Sequence, residues 1–450
     1  MQPIARQTKA NAAALGYSGE RALNMFLRPG DGVSQGMMIG RSGAVAHATL
    51  LAGAVGRASV DVNGVLYVCA GGALYSVTTA GVATKISGKI ADDRKTFMAT
   101  DGTQVAIVAN QKYWVYDGAT LSEYATGAIS NPSAVAFQDG YFIVTGAIGD
   151  RDDAFTVSNI DDATTFNALD FAYAENAPDA IVNVVSDHGQ LWLFGTKTVE
   201  VFWNSGNVDF PFERNSGALI EEGCLDGKTV AQSDNSVFWV RPDRAVLRSA
   251  GGVAQVISTR EIQEALTAET VKFGLAFTDK GHKFYAVTTD KSSYCYDITT
   301  GVWHERTYGT DAGREWWVVS SSTIAGTEYL LTDTGLVVTT DPDTYTDNGA
   351  TIVGEATTAP IEQGGNPFSV SRVIVQARSG ATSTTTTPQI ALATTRDGRT
   401  WTNWRQRDLG NIGIYYRQAV WVGLGSFRRF QCKVRITDPV PHDIYGINYA

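Results

Sequence analysis

Cysteine, histidine, helical periodicity and long apolar runs are all scarce in this chain, and each scarcity removes a class of protein. There are 4 cysteines in 450 residues, and Cys69, Cys224, Cys295 and Cys432 stand far apart. No Cys-x-x-Cys pair exists to hold zinc, and the spacing is too open for a disulfide framework, so buried free thiols in a core are expected. The 5 histidines, His47, His188, His282, His304 and His442, show no metal-ligand spacing, and His188 before Gly189 reads as a turn residue. No cofactor and no metal are expected. No apolar run approaches the ~18 residues of a membrane span, and Met1-Gln2-Pro3-Ile4 begins nothing like a secretion signal. The chain is therefore expected to be made and kept in a cytoplasm before any assembly.

What the chain has instead is a repeat. Short β-branched and aromatic runs flank polar or glycine turns, as in Val65-Leu66-Tyr67-Val68 to Leu74-Tyr75-Ser76-Val77 and Leu191-Trp192-Leu193-Phe194 to Val199-Glu200-Val201-Phe202-Trp203. Further runs are Val105–Val108, Tyr141–Val144, Val237–Val240, Phe284–Val287 and Tyr329–Leu331. Their turns begin near residues 63, 102, 139, 188, 234, 280 and 326. A unit of roughly 40 to 50 residues holding several short strands is a propeller blade, and no blade can bury both faces without a neighbour. The expected fold is all-β: a propeller of six or seven blades over 36–349, then a β-sandwich over 350–450. Two domains also suit the length, because one compact core seldom serves more than about 300 residues.

Residues 1–35 read as an extended arm leading into the first blade, with one strand candidate at Ala22–Leu27 and a turn at Arg28-Pro29-Gly30-Asp31-Gly32. One helix is predicted after Ser258, where Ser258 and Glu261 have the spacing of a capping box. Ile262, Ala265 and Leu266 make its apolar stripe, which is expected on the rim between two blades. In Arg429–Ile436, Phe430, Cys432, Val434 and Ile436 alternate with Arg429, Gln431, Lys433 and Arg435, placing cations on one strand face. Charge is divided: from Ala350 on, ten arginines and one lysine face six acids, a net of +5 that leaves −15 on residues 1–349 of a chain at −10. An acidic propeller argues against holding nucleic acid by its phosphates, but not against letting it pass.

Signals of catalysis are weak. Gly32-Val33-Ser34-Gln35-Gly36 has the string of a nucleophile elbow without the strand before it and helix after it. Thr394 to Trp401 resembles the Asp-box turn of sialidase propellers, with Arg396 where the box has aspartate; even a complete box is a structural turn. The pairs Asp92-Asp93, Asp152-Asp153, Asp161-Asp162 and Glu221-Glu222 are adjacent residues, which face opposite ways on a strand and so do not share a proton. Asp150, Asp152 and Asp153 interrupt a hairpin as a projecting acidic loop or weak cation site, though without calcium-loop spacing. No catalytic residue is assigned.

Several segments together resemble a family. Residues 186–206, with Leu191-Trp192-Leu193-Phe194-Gly195 and Val199-Glu200-Val201-Phe202, look like a strand pair of the tail hub proteins of short-tailed bacteriophages, also called nozzle or packaged-DNA-stabilisation proteins. The capped helix at Glu261-Ile262 through Leu266-Thr267-Ala268-Glu269 and the tripeptide Leu23-Asn24-Met25 are similar in the same order. So is the C-terminal run Thr395-Arg396-Asp397-Gly398 through Arg417, Trp421, Leu424-Gly425, Arg428-Arg429 and Lys433-Val434-Arg435-Ile436 to Pro439-Val440. The loops depart from the family, including Asp150 to Asp153 and Thr384 to Thr387.

The resemblance implies a non-enzymatic virion protein forming a ring, commonly of six copies, below the portal and its adaptor. It further implies contact with tailspikes or fibres and a tail needle or plug, passage of double-stranded DNA, and assembly in the host cytoplasm. Arg429, Lys433 and Arg435 are then candidates for contacting an acidic neighbouring subunit, since guanidinium makes fixed bidentate pairs with carboxylates. The alternative from another class is a carbohydrate-binding or carbohydrate-hydrolysing propeller, which needs converging acids and an exposed aromatic platform.

Overall fold

Alternation along each strand decides how the chain closes on itself. In the strand Gln190–Gly195, Leu191 and Leu193 face one neighbouring sheet while Trp192 and Phe194 face the other. In Ser236–Val240, Val237 and Trp239 face back to that sheet, and Phe238 and Val240 face onward. Both faces are dry, which is why the sequence shows continuous apolar runs rather than polar alternation.

The computed structural model describes residues 20–30, 36–174, 179–250, 252–310, 314–381 and 387–450. Blades one to six are four-stranded antiparallel sheets in sequence order, spanning 56–85, 97–124, 131–173, 181–214, 231–256 and 271–306. Blade seven takes three strands from 318–341 and its outermost from Gly43–Thr49, so the two ends of the propeller are laced together and the count is seven. Seven apolar clusters, one between each consecutive pair of blades including seven and one, close the ring.

Turn chemistry sets the repeat. At Asn63-Gly64 and His188-Gly189 both residues hold positive φ, 51° and 83° in the first and 51° and 73° in the second. That is the turn whose twist matches a right-handed hairpin, and it confirms His188 as a turn residue. The helix, Arg260–Ala268, buries Ile262 and Leu266 between blades five and six as expected. Its cap is one residue later than the capping box predicts: Thr259 accepts from the Ile262 N–H. Ser258 instead accepts from the Val246 N–H at 3.0 Å, a tertiary partner that local spacing cannot reveal.

The C-terminal domain is a sandwich around one core containing Trp421, Phe430, Val373 and Ile390. One sheet pairs Gly354–Thr357, Arg429–Ile436, Gln389–Thr395 and Arg405–Asp408; the other contains Phe368–Ala377, Gln418–Phe427 and Ile444–Tyr449. Each sheet also incorporates strands from the N-terminal segment. Arg21–Leu23 joins the first and Met25–Arg28 with Met37–Gly40 the second, so the two described strands of the segment expected as an arm toward the first blade, Arg21–Leu23 and Met25–Arg28, belong to the sandwich sheets. The partners of Arg21–Leu23, at Glu305 and Glu355–Thr357, lie some 300 residues away in sequence, beyond the reach of any local pattern.

Candidate functional site at the junction of propeller and sandwich

The strand Arg21–Leu23 lies between the two domains. On one side Leu23 aligns parallel to Glu305 of blade six; on the other, Arg21, Ala22 and Leu23 run antiparallel to Thr357, Ala356 and Glu355 of the sandwich. Blade six and one sandwich sheet thereby become a single ten-stranded sheet. Side chains of the same segment anchor in both domains. Ala22 and Met25 belong to the sandwich core, whereas Phe26 enters the cluster between blades six and seven, edge-on to Phe284 at 5.0 Å.

Asn24 makes the turn between these strands. Its φ of 53° is left-handed, a conformation that asparagine tolerates better than most residues, and it is fully buried. Its side chain uses both ends. Nδ2 donates to Val353 O at 3.0 Å and Thr307 Oγ1 at 3.2 Å, while Oδ1 accepts from the Thr307 N–H at 3.0 Å and Arg41 Nε at 2.9 Å. Arg41 continues the chain of contacts, donating from Nη1 to Asp347 Oδ1 at 2.8 Å and from Nη2 to Asp347 Oδ2. Beside it Arg306 donates to Asp279 Oδ2 at 2.9 Å and to His304 Nε2 at 3.2 Å, under the rings of Phe277 and Phe284. His282 meets Asp297 at 2.8 Å. Burial, and then the Arg306 charge, hold the His304 pKa well below its ordinary value, so His304 is a neutral acceptor for Arg306. Bidentate pairs sealed from water fix geometry, and such pairs are costly to break one partner at a time.

His442 fills the gap between two glycines at this junction. A Cβ added at Gly354 would lie 2.5 Å from His442 Nδ1, and one at Gly40 would lie 2.8 Å from His442 Cβ. Gly354→Ala is expected to destabilise the chain by about 1–3 kcal/mol through overpacking, measured as a lowered unfolding midpoint in urea. An unchanged midpoint would mean that His442 moves aside freely.

The outer face of the shared sheet carries a second row of charge. Arg21 donates to both oxygens of Glu305, at 2.9 and 2.6 Å, and Arg435 donates to Glu355 Oε2 at 2.8 and 2.6 Å. Burial opposes the Arg21 charge, but Glu305 and then Glu355 hold its pKa above the ordinary value. Arg435 lies over the Trp404 ring at 4.4 Å, and Lys433 over Trp401 and Trp404 at 4.7 and 4.9 Å. Arg429 approaches Glu362 at 3.6 Å. The three predicted interface cations thus share one strand face as alternation demands, but that face is half-covered by aromatic and acidic partners from their own chain. Gln431 on the same face is buried, donating to Thr358 O at 2.8 Å.

Other residues flagged by sequence are dispersed. Asp150 and Asp152 are exposed near the turn between the strands Tyr141–Ile148 and Arg151–Asn159, while Asp153 is buried and bound by both arms of Arg151 at 3.0 and 2.7 Å. The three acids do not converge. Asp92 pairs with Arg57, whereas Asp93 accepts from the Asn110 N–H, so that adjacent pair is split between partners. Asp397 accepts from the N–H groups of Thr400 and Arg399, at 2.7 and 2.8 Å, which hold its carboxyl far below the usual range and shape the expected turn. All four cysteines are buried, and burial pushes the Cys224, Cys295 and Cys432 thiols up to about 12. Gly32 to Gln35 of the elbow-like string and Thr384 to Thr386 of the threonine-rich stretch lie outside the described residues. Met37–Gly40, soon after the elbow-like string, is a strand rather than the helix an elbow needs. Among the described residues no group of three or more His, Cys, Asp or Glu could hold a metal, and no helix is long and apolar enough to cross a membrane.

Sequence reasoning missed the centre of the junction: Arg41, Asp279, Arg306 and Asp347. A signal existed in one polar residue set within an apolar run, Asn24 between Leu23 and Met25. It marks burial without identifying the partner.

Comparison with known proteins agrees with this architecture. The sequence matches the family model for bacteriophage P22 Gp10, beta-propeller, over residues 3–334, and that for bacteriophage P22 Gp10, beta-sandwich, over residues 355–449. No curated protein matches it. Among solved structures it is similar to BamB from Moraxella catarrhalis, at 13% identity and TM-score 0.42, covering 75% of this chain and 98% of that one. It is also similar to the computationally designed Ika8 protein, at 14% identity and TM-score 0.41, covering 66% and 99%. With propeller and sandwich matched in order along nearly the whole sequence, the chain belongs to the bacteriophage P22 Gp10 family, the tail hub or nozzle proteins of short-tailed phages.

Proposed function

We propose that the chain is a non-enzymatic ring subunit, six copies to a ring, seated below the portal and its adaptor in the virion tail after assembly in the host cytoplasm. The ring closes the head once DNA is packaged, mounts tailspikes or fibres, meets a tail needle or plug, and lines the channel through which double-stranded DNA leaves. The observation that carries this reading is the match of both domains, in order, to one phage tail family. The junction agrees with a mechanical task, because a shared sheet and the buried bidentate Arg41–Asp347 pair oppose hinge motion between the domains. The charge division agrees as well. Acidic propellers facing the channel would repel phosphate within roughly 8 to 10 Å, so DNA slides without sticking.

Arg429, Lys433 and Arg435 contact an acidic patch of the adjacent subunit in this arrangement. Electron microscopy of the purified chain mixed with the portal and adaptor of its phage is expected to reveal a six-fold ring beneath the adaptor. A monomer that ignores the adaptor would remove the reading, and glycan hydrolysis by that sample would replace it with the carbohydrate alternative. Arg429→Ala with Arg435→Ala is expected to abolish ring formation at physiological salt. Arg429→Ala alone separates assembly from the Arg435–Glu355 pair, and unchanged rings in both variants would discard the interface.

A further inference from the structure

The acidity of the propeller is concentrated. Blades two and three, residues 97–173, hold ten acids against Lys112 and Arg151, a net of −8. Both cations are already paired, with Glu123 at 3.0 Å and Asp153 at 2.7 Å. Successive turns of an antiparallel meander alternate between its two ends, so the first and third turns of each blade share a face. On that face blade two presents Asp101 and Asp117, and blade three Asp139 and Asp161. Gln104 stitches the two blades together, donating from Nε2 to Asp101 Oδ2 at 3.1 Å and to Asp161 O at 3.0 Å, and the Asp161 N–H donates to Gly140 O at 2.7 Å. Asp101 and Asp117 accept from the N–H groups of Thr103 and Thr120, both at 2.7 Å, neutral donors that leave the charge standing. Among the described residues none of the four acids meets a Lys or Arg in an ion pair. Ile160, beside Gly140 and Asp161, is 62% exposed in their midst.

The sandwich carries the opposite surface. From Arg396 to Arg435 nine cations face Asp397 and Asp408, a net of +7. Arg405–Asp408 is the last strand of the ten-stranded sheet that begins with Val271–Asp279, the first strand of blade six. At that free end Arg405 and Arg407 donate to Val422 O at 3.0 Å and Val420 O at 2.9 Å, carbonyls that hold the guanidinium groups without neutralising them. The loop that follows is apolar and outward: Ile412, Tyr415 and Tyr416 are 61%, 70% and 88% exposed, and Arg417 ties it back to Asp408 at 3.2 Å. Ile414 pins its base, because a Cβ added at Gly380 or Gly410 would lie 2.8 or 3.1 Å from it. Exposed aromatics held in place beside arginines are the composition of an interface centre rather than of a solvated loop.

We infer that this sandwich edge, Arg405, Arg407 and Arg417 with Tyr415 and Tyr416, docks on the acidic turn face of blades two and three of a second copy of this chain. The assignment rests on the ring of copies proposed above and names its two contacting surfaces. Half a turn of a seven-bladed ring is three and a half blades, which from blade six, where the sandwich is joined, falls between blades two and three. The two surfaces therefore lie at opposite poles of one subunit and do not meet within it. Unlike patches on opposite poles make a head-to-tail contact, the kind that repeats into a ring. Nucleic acid would answer the cations but leave the acidic face and Ile160 without a partner, whereas a second copy answers both.

Charge reversal tests the pairing, with rings of the full chain on the portal and adaptor of its phage scored by electron microscopy. One variant carries Arg407→Glu and Arg417→Glu, the other Asp139→Lys and Asp161→Lys. The second suits its turns, since Lys280 before Gly281 already holds a φ of 47° at the equivalent turn of blade six. Each variant alone, confirmed as folded by circular dichroism, is expected to form no rings at physiological salt, because its contacts set like charges together. An equal mixture is expected to form them again, since in alternation every contact pairs Arg with Asp or Glu with Lys. Rings from either variant alone, or a mixture that stays apart, overturn the proposal while the ring itself stands. A wild-type chain that stays monomeric on the adaptor removes the ring and the contact together. Intact rings that no longer mount a tailspike or fibre in the arginine variant overturn the proposal by assigning the edge to that partner. If a reversal variant does not fold, Tyr415→Ser with Tyr416→Ser decides. It is expected to raise the protein concentration for half-assembly by about tenfold or more, and an unchanged concentration overturns the proposal.

Discussion

Arg41→Ala is expected to destabilise the chain by about 3–5 kcal/mol. Arg41 and Asp347 are 3% and 0% exposed, and the truncation leaves the Asp347 carboxylate out of water with no cation. Other acceptors lose their donor at the same time: Asn24 Oδ1 at 2.9 Å, Ser42 O at 3.1 Å and Thr307 O at 3.3 Å. Because these groups join the N-terminal turn, the propeller and the strand Thr346–Asp347, the two domains are expected to unfold in separate steps once Arg41 is gone. Urea unfolding followed by circular dichroism gives both the loss and the number of transitions. The control is Arg41→Met combined with Asp347→Leu, which leaves no uncompensated charge and is expected to recover much of the stability. A loss below about 1 kcal/mol in Arg41→Ala would mean that water reaches Asp347, and the argument for a stiff junction would go with it.

Acidification to about pH 4 is expected to cost about 3 kcal/mol through His442 alone. Burial holds its pKa down to about 4, with Asp438 O accepting from Nε2 at 3.1 Å as a partial offset, against an ordinary value of 6.5. Between those two values the unfolded chain binds a proton that the folded chain refuses. The sign follows: stability is complete above the unfolded pKa and is lost as pH falls from 6.5 toward 4. Buried His304, facing Arg306, Arg41 and His282, acts in the same direction. The Asp443 charge near His442 favours its protonation, and those of Arg41 and Lys280 oppose it, but burial outweighs all three. Urea midpoints of wild type and His442→Gln, compared from neutral to acid pH, measure the effect. The variant should start less stable and fall less steeply; parallel slopes would show that His442 is already solvated.

Blades were legible because burial on both faces removes the ambiguity of amphipathic strands. Leu191 to Phe194 serve two inter-blade clusters at once, so the run must be apolar throughout, and its regular return marks each blade. The rim helix was legible from the stripe of Ile262 and Leu266, although its cap moved from Ser258 to Thr259. The strand Arg429–Ile436 has the alternation its sequence announces. Its cationic face was misjudged only in surroundings: Trp401, Trp404 and Glu355 approach from other strands and half-cover what alternation alone suggests is open.

Local periodicity and turn residues by themselves determined the sheet-rich class, the blade repeat and the two-domain order, because strand period, positive-φ turns and apolar runs act over a few residues. Tertiary structure alone decided that seven blades close through Gly43–Thr49, that Arg21–Leu23 bridges propeller and sandwich, and that Arg41 meets Asp347. Those pairings join residues some 300 positions apart, and an ion pair or an added strand is specified by where two surfaces meet rather than by what precedes or follows it in the chain.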